Sequence, residues 1–214
     1  MYREEKQQLI DFGNKLINEN YTLGTGGNLS LYIRESNIML ITPSGIPFNQ
    51  IHLDDIVSMT CSGKILEGSK KPSSEWRMHA VMYEKRSDLD AIIHAHTIYS
   101  TALSVLRQPL PASHYMIAVA GKDVRCAEYA SFGTEELSIN AFQAMQGRNA
   151  VLLANHGVLT GGLTLADAFN VLEELEYCSK VHLIASSVGT PTIMTDNEME
   201  NMEKRFKTYG QVNQ

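Results

Sequence analysis

Residues 91–107 read AIIHAHTIYSTALSVLR, and this stretch joins two kinds of secondary structure. Its first six residues form a short, almost continuously apolar segment, which is typical of a buried strand. Residues 97–107 predict a helix that follows the strand directly. His94 and His96 stand at the end of the predicted strand, two positions apart, so both imidazoles should point to one face of the sheet.

Strands and helices alternate on both sides of this stretch. Two short β-rich segments, 29–34 and 38–42, predict a hairpin. Thr164 is expected to cap a long amphipathic helix. The interleaving predicts one layered domain over residues 1–214, of the α/β or α+β class. Further strands are predicted at 55–61, after Gly63, at 116–121, near Val124 and at 150–157, and further helices around 9–17, at 76–86, 133–146 and near 196–210.

The composition excludes several classes of protein. The chain has 214 residues, 43% hydrophobic and 20% charged, so it can bury a core and is not predominantly disordered. Lys and Arg total 18 against 24 Asp and Glu, a formal charge of −6, which argues against a nucleic-acid partner. The three cysteines are widely spaced and predict reduced thiols in the cytoplasm. No signal peptide is visible and no apolar run approaches the roughly 20 residues of a membrane helix, so no membrane partner is expected.

Four side chains together match a catalytic zinc site. Besides His94 and His96, His156 stands at the tip of a predicted strand, and Glu75 lies in the first turn of a predicted helix. Taken singly, each has a structural explanation, as a core, surface or turn histidine or as a carboxylate that favours a helix N-terminus. Together, three imidazoles and one carboxylate match the ligands of zinc, with three firm ligands and one exchangeable position.

Three small polar turns could bind an anion. They are the pairs Gly27-Asn28, Ser44-Gly45 and Ser73-Ser74. Each offers backbone N–H groups with a hydroxyl or an amide, and the third pair also precedes a helix, whose N-terminus attracts phosphate. Alone, each pair is typical of an ordinary turn. His79, one turn into the same helix, is interpreted as a packed or hydrogen-bonded histidine rather than a ligand.

A series of motifs along the chain resembles one known family. The motifs are GTGGNLS (24–30), LITPSGIPF (40–48), KPSSEWRMH (71–79), IIHAHTIYSTALSVL (92–106), HYMIAVAG (114–121), EYASFGTEELS (128–138), ANHGVLTGG (154–162) and FKTYG (206–210). Over nearly its whole length the chain is similar to the class II aldolase/adducin family, in the same motif order and with similar spacing. Ala95 and Asn155 depart from the family pattern, which often has an asparagine and a histidine there, but neither is a proposed ligand.

The resemblance implies a fold, an assembly and a set of site residues. The fold would be a three-layer αβα sandwich with a central, mainly antiparallel sheet. The assembly would be a fourfold-symmetric homotetramer with one Zn²⁺ per subunit near the subunit interfaces. The implied roles are zinc ligands His94, His96 and His156; Glu75 as a zinc ligand at rest and the acid/base; phosphate binding by Gly27, Asn28, Ser44, Gly45, Ser73 and Ser74; and catalytic tyrosines Tyr115 and Tyr209 from a neighbouring subunit.

The resemblance also implies a reaction. It would be the zinc-dependent retro-aldol cleavage of L-fuculose 1-phosphate, or of a similar deoxy-ketose 1-phosphate, to dihydroxyacetone phosphate and an aldehyde such as L-lactaldehyde. Within the same fold, a pentulose-5-phosphate 4-epimerase and a sugar-phosphate dehydratase remain alternatives. A non-catalytic, adducin-like interaction module is the alternative from another class, although such a module would not need the four candidate metal ligands.

Overall fold

The computed structural model describes residues 1–206 and residue 208. Its helices are α1 (Arg3–Asn18), α2 (Trp76–Lys85), α3 (Ile98–Val105), α4 (Glu135–Met145), α5 (Leu165–Val188) and α6 (Asp196–Phe206). Its strands are β1 (Asn28–Ile33), β2 (Ile38–Ile41), β3 (Val57–Met59), β4 (Ile65–Glu67), β5 (Ala91–Ala95), β6 (Cys126–Ala127), β7 (Ala150–Leu153) and β8 (Gly157–Gly162). Among the described helices, none has the length and apolar character that crossing a membrane requires.

The strands of the described residues form one sheet in the order β4-β3-β2-β1-β5-β8-β7-β6. Every pairing is antiparallel except that of β6 with β7. The predicted hairpin of residues 29–34 and 38–42 is present as β1 and β2, with Leu31 opposite Leu40. The central position of β5 brings its end beside both β1 and β8, so segments from both halves of the chain meet there.

Helices cover both faces of the sheet and bury two separate hydrophobic clusters. One cluster contains residues of α1, α3, α5 and α6, and the other contains residues of α2 and α4. Successive side chains of β5 alternate between them, with Ile93 in the first cluster and Ile92 in the second. The fold is therefore the predicted three-layer αβα sandwich with a mainly antiparallel sheet. The same alternation directs His94 to the face that carries α2 and α4.

The predicted helix starts are confirmed at α4 and α5. The Thr134 hydroxyl accepts a hydrogen bond from the backbone N–H of Leu137 at the start of α4. Thr164 and Asp167 form a capping box at the start of α5, in which each side chain bonds the other residue's backbone N–H. At α2, the capping position is occupied by Glu75 itself, and its side chain makes no capping hydrogen bond. The carboxylate of Glu75 is therefore directed elsewhere.

One predicted strand was wrong, and one observed strand was not predicted. Residues 115–119 form a 3₁₀ helix instead of the strand predicted over 116–121, and its first turn is capped by the His114 ring, which accepts from the N–H of Met116. The short strand predicted near Val124 is present as a bridge of Val124 with Leu110 followed by the two-residue strand β6. The strand β8 was not predicted, because its glycines resemble a turn in sequence. In the structure, β8 pairs with both β5 and β7.

Candidate active site

The structure brings the three predicted histidine ligands together. His94 lies in β5, His96 directly after it, and His156 in the tight turn between β7 and β8. Their ring centroids are 4.7 to 5.1 Å apart, and one ligand nitrogen from each ring lies within 4.8 Å of the others. The pairing of Ala95 with Val158 holds the two segments in register, so the sheet itself sets the spacing of the rings.

Burial keeps the ring of His94 neutral. Loss of solvation lowers the pKa of His94 well below its usual value, and the neighbouring His156 and His96 lower it further. Partial loss of solvation likewise lowers the pKa of His96, although its ring is exposed at the cavity wall. The Nδ1 of His94 lies 2.9 Å from the carbonyl oxygen of Val158, which can only accept, so Nδ1 carries the proton. The Nε2 lone pair of His94 is then turned towards the other two rings.

Glu75 completes the cluster from the N-terminus of α2. Its Oε2 lies 3.3 Å from His94 Nε2, and its Oε1 lies 3.5 Å from His156 Nε2. Because His94 is neutral, its contact with Glu75 is not an ion pair. The Oε1 atom is buried and accepts no hydrogen bond from any described residue. A buried carboxylate oxygen that faces imidazole nitrogens fits a divalent cation, which accepts lone pairs from both kinds of atom.

The histidine cluster opens into a cavity of about 480 Å³. Glu75, His96 and His156 line it, whereas His94 is fully buried behind them. All six residues predicted to bind phosphate line the same cavity: Gly27, Asn28, Ser44, Gly45, Ser73 and Ser74. No lysine or arginine is among the described lining residues. An anion in this cavity would therefore depend on neutral donors, the N-terminus of α2 and a bound cation.

Two of the predicted turns are tied to each other. The N–H of Ser44 donates to the carbonyl of Lys71, and the N–H of Ser73 donates to the carbonyl of Thr42, both at 3.0 Å. These two N–H groups are therefore committed to the fold. The Ser73 hydroxyl, in turn, accepts from the N–H of Glu75 at 3.3 Å. Ser74 is exposed in the cavity wall, so its hydroxyl is the better placed of the adjacent pair for a ligand.

Of the two predicted catalytic tyrosines, Tyr115 is described by the structure, and it is not among the residues that line this cavity. Tyr115 begins the 3₁₀ helix at 115–119 and is 47% exposed. It lines a separate surface pocket with His114 and Tyr177. Tyr209 lies outside the described residues. The roles of both tyrosines, and their action from a neighbouring subunit, remain predictions.

Several lining residues were not singled out from the sequence. Tyr129 and Phe132 come from the loop before α4, and Asn155 precedes His156. Asn155 has a φ of 55°, in the left-handed region that asparagine tolerates better than most residues, and its Oδ1 accepts from Arg107 at 2.8 Å. The left-handed conformation at Asn155 helps to form the tight turn that presents His156. An asparagine just before a glycine-containing turn was the available signal.

Comparisons with known proteins agree with this architecture. The family described as Class II Aldolase and Adducin N-terminal domain matches residues 7–183. The chain is 41% identical to the 5-deoxy-D-ribulose 1-phosphate aldolase of Bacillus thuringiensis serovar kurstaki, over 99% of each chain. It is 39% identical to the L-fuculose phosphate aldolase of Escherichia coli, over 95% of this chain and 94% of that one.

A solved structure titled L-fuculose 1-phosphate aldolase superposes with a TM-score of 0.94 at 57% identity, covering 95% of this chain and 96% of the other. Likeness of this extent in both sequence and fold settles the relationship. The chain belongs to the class II aldolase and adducin N-terminal domain family, and within it is an aldolase, a carbon–carbon lyase.

Proposed function

We propose that the chain cleaves a deoxy-ketose 1-phosphate between C3 and C4, with Zn²⁺ as its metal. The candidate substrates are L-fuculose 1-phosphate, which would give L-lactaldehyde, and 5-deoxy-D-ribulose 1-phosphate, which would give acetaldehyde. Dihydroxyacetone phosphate is the common product. One observation carries the proposal: a carboxylate and two imidazoles line one cavity together with the small polar turns suited to a phosphate, and the third imidazole lies directly behind them.

The proposed metal ligands are His94, His96 and His156, with Glu75 as the exchangeable fourth. Three imidazoles favour a borderline metal such as zinc. When bound, the metal would supply Lewis-acid stabilisation of the negative charge that develops on the substrate oxygens as the C3–C4 bond breaks, an effect worth several kcal/mol.

The chain's own residues would handle binding and proton transfer. The cavity turns and the N-terminus of α2 would hold the phosphate and fix the position of C3. A base removes the proton of the C4 hydroxyl, the C3–C4 bonding pair passes to C3, and the aldehyde leaves. Glu75, displaced from the metal by the substrate and protonated from solvent, would then deliver that proton to C3, which completes dihydroxyacetone phosphate, and the base would release the C4 hydroxyl proton to solvent. A positioned proton-transfer group of this kind contributes roughly 10²–10⁴-fold.

Tyr115 and Tyr209 are proposed to act from a neighbouring subunit, Tyr115 at the C4 oxygen and Tyr209 around the aldehyde end. Tyr115 is half-exposed and away from the cavity of its own subunit, which agrees with such an arrangement. Two exposed apolar side chains, Phe132 in the cavity wall and Ile98 at the start of α3, each 70% exposed, also agree with burial in an assembly. We propose a homotetramer, and light scattering coupled to size exclusion should give four times 23.8 kDa.

The substrate class is supported by the cavity wall. Tyr129 and Phe132 give it an aromatic surface that suits the methyl end of a deoxy sugar. Curated relatives named for the two candidate substrates are 41% and 39% identical to the chain, and the solved structure titled L-fuculose 1-phosphate aldolase is 57% identical, so the names alone do not choose the substrate. One methylene or hydroxyl in an apolar pocket is worth about 1–3 kcal/mol, so the two kcat/KM values must be measured.

The experiment incubates the zinc-loaded protein with each candidate substrate, with and without a chelator. Dihydroxyacetone phosphate release is followed by coupled NADH oxidation. We expect chelator-sensitive release from at least one substrate. Release that the chelator does not affect would contradict the metal-dependent mechanism. Absence of release with both substrates would contradict the proposal, and assays of pentulose 5-phosphate interconversion and of water loss would then test the epimerase and dehydratase alternatives.

A further inference from the structure

Behind the cavity, three buried side chains continue inward from Asn28. Ser30 lies in β1, and His79 and Tyr83 lie one turn apart on α2. The exposed fractions of Ser30, His79 and Tyr83 are 0%, 0% and 2%. The two ring nitrogens of His79 contact different partners: Nδ1 lies 2.6 Å from Ser30 Oγ, and Nε2 makes a short hydrogen bond with Asn28 Oδ1.

The protons in this network can be placed from the partners. Asn28 Nδ2 lies 3.0 Å from Glu75 Oε2, and an ionised carboxylate can only accept, so the amide nitrogen faces Glu75. The amide oxygen then faces His79, and because that oxygen can only accept, His79 Nε2 carries the proton.

The donors and acceptors of the remaining hydrogen bonds follow from the protonation of His79. Burial lowers the pKa of His79 to about 3, with His94 adding to the shift and Glu75 opposing it, so the ring is neutral and Nδ1 is unprotonated. Ser30 Oγ therefore donates to Nδ1 and is left to accept from the Tyr83 hydroxyl, 2.6 Å away. Asn28, His79 and Ser30 each both accept and donate, and the Tyr83 hydroxyl, which also lies 3.0 Å from the Ser30 carbonyl oxygen, is the donor at the outer end.

We propose that Ser30, His79 and Asn28 form a positioning network that holds the carboxylate of Glu75 in its working orientation, with the Tyr83 hydroxyl at its outer end. This inference rests on the proposed role of Glu75. If the Asn28 amide rotated by half a turn, its oxygen would meet the Glu75 carboxylate and its nitrogen would meet the N–H of His79. Both contacts are repulsive, so the Nε2–H of His79 fixes the orientation of the Asn28 amide. With Oε2 held by Asn28, Oε1 is the oxygen that points at His156.

His79 is a positioning residue, since it touches neither the cavity nor the candidate ligands. The substitutions that test it differ in which ring nitrogen they replace. A glutamine at this position extends its amide nitrogen to about where Nε2 lies, so His79→Gln retains a donor for Asn28. His79→Asn reaches only as far as Nδ1 and leaves Asn28 without its donor. Tyr83→Phe is the matched control, since it keeps the ring stacked on Tyr32 at 4.9 Å and removes only the outermost hydroxyl.

Zinc affinity and turnover report on the network in these variants. Loss of partners behind metal ligands typically costs 10–100-fold in affinity or activity. We expect the zinc dissociation constant, from chelator competition, to rise at least tenfold in His79→Asn and to stay within about threefold of wild type in His79→Gln and Tyr83→Phe. The kcat per bound zinc should likewise fall in His79→Asn and stay close to the wild-type value in His79→Gln and Tyr83→Phe. A structural role alone would lower the melting temperature and leave kcat per bound zinc unchanged, and this result would overturn the proposal.

The tautomer of His79 gives a test that needs no substrate. In ¹⁵N-histidine-labelled wild-type protein, the His79 signals, identified by their loss in His79→Gln, should show the Nε2–H neutral tautomer. An Nδ1–H tautomer or an imidazolium near pH 6.5 would overturn the network. If the tautomer and zinc affinities are as expected but no ketose 1-phosphate is cleaved, the proposed function fails and the network stands. If cleavage occurs with the wrong tautomer, only the network fails.

Discussion

Gly27 lies directly against the backbone carbonyl of His94, so closely that a Cβ on Gly27 would be 2.5 Å from that oxygen. The φ of Gly27 is +83°, in the left-handed region. The contact joins the loop before β1 to the strand that carries two candidate metal ligands. Since adjacent Asn28 is also the pairing partner of His94, the loop cannot move without moving the site.

Gly27→Ala should therefore be strongly destabilising, and Gly45→Ala is its matched control. Gly45 has a φ of +72°, but a Cβ at this position would meet no atom within 4 Å, so alanine there should cost only the left-handed strain, about 1–2 kcal/mol. Gly27→Ala should lower the free energy of unfolding by that amount and by the further cost of the clash with the His94 carbonyl oxygen. Urea unfolding at equal protein and zinc concentration measures both. Equal midpoints for the two variants would contradict the close packing.

Glu75→Gln should separate metal binding from turnover. Glutamine keeps the size of the side chain and one oxygen, so some zinc should remain bound, while the lost proton transfer should lower kcat by roughly 10²–10⁴-fold. Metal per chain from elemental analysis and dihydroxyacetone phosphate release are the two measurements. Glu67→Gln, at the distant strand β4, controls for the loss of a carboxylate. Full turnover in Glu75→Gln would exclude the proposed role of Glu75 in proton transfer. By comparison, His96→Ala removes a candidate ligand and should lose zinc and activity together.

Ser73→Ala and Ser74→Ala should have different effects. Both should raise KM for the phosphorylated substrate more than they lower kcat, since phosphate contacts are made in the ground and transition states alike. Ser73 is buried and accepts from the N–H of Glu75, so its loss should also destabilise the protein by about 1 kcal/mol. Ser74→Ala should leave the melting temperature unchanged. A loss of kcat alone in Ser74→Ala would argue against phosphate binding there.

His79 should make stability depend on pH below neutrality. Its pKa is about 3 in the folded protein, chiefly because of burial, against about 6.5 unfolded. Above pH 6.5 the ring is neutral in both states and contributes nothing. As the pH falls from 6.5 towards 3, only the unfolded chain takes up the proton, so the free energy of unfolding falls by up to about 1.4 kcal/mol per pH unit.

This contribution should be absent in His79→Gln. The stability of the metal-free variant should therefore fall less steeply than that of wild type between pH 6 and pH 4 in urea unfolding. Contributions from His94 and His96 are common to both proteins and cancel in the difference. The exposed His52 provides the control, since His52→Gln should parallel wild type. A His79→Gln curve parallel to wild type would show that His79 is already protonated in the folded protein.

Local signals in the sequence predicted much of the fold. The capping residue Thr164 located the start of α5, and the alternation of His94 and His96 placed both rings on one side of the sheet. Strand β8 was missed because Gly157, Gly161 and Gly162 have no side chains to give a period of two. The mainly antiparallel order of the sheet came from the family resemblance, since local patterns do not specify which strands pair.

The segment at 115–119 shows the limit of short apolar runs. Such a run fits a buried strand or a buried helical turn equally well, and the capping ring of His114 decides for the turn. The network around His79 was beyond local reasoning for another reason. Its partners Ser30 and Asn28 lie 49 and 51 positions away in the chain, so only the packing of α2 on β1 brings them together.

The pairing of β5 with β8 also sets the order of events during folding. His94 pairs with Leu159, and Ala95 with Val158, across a closed loop of more than sixty residues. Non-local pairings of this kind form late, because the entropy of closing the loop is lost before the contacts compensate for it. A chain with only its N-terminal half folded holds no complete histidine cluster. Metal capture should therefore coincide with completion of the sheet, and the rate at which refolding protein takes up zinc would time that last step.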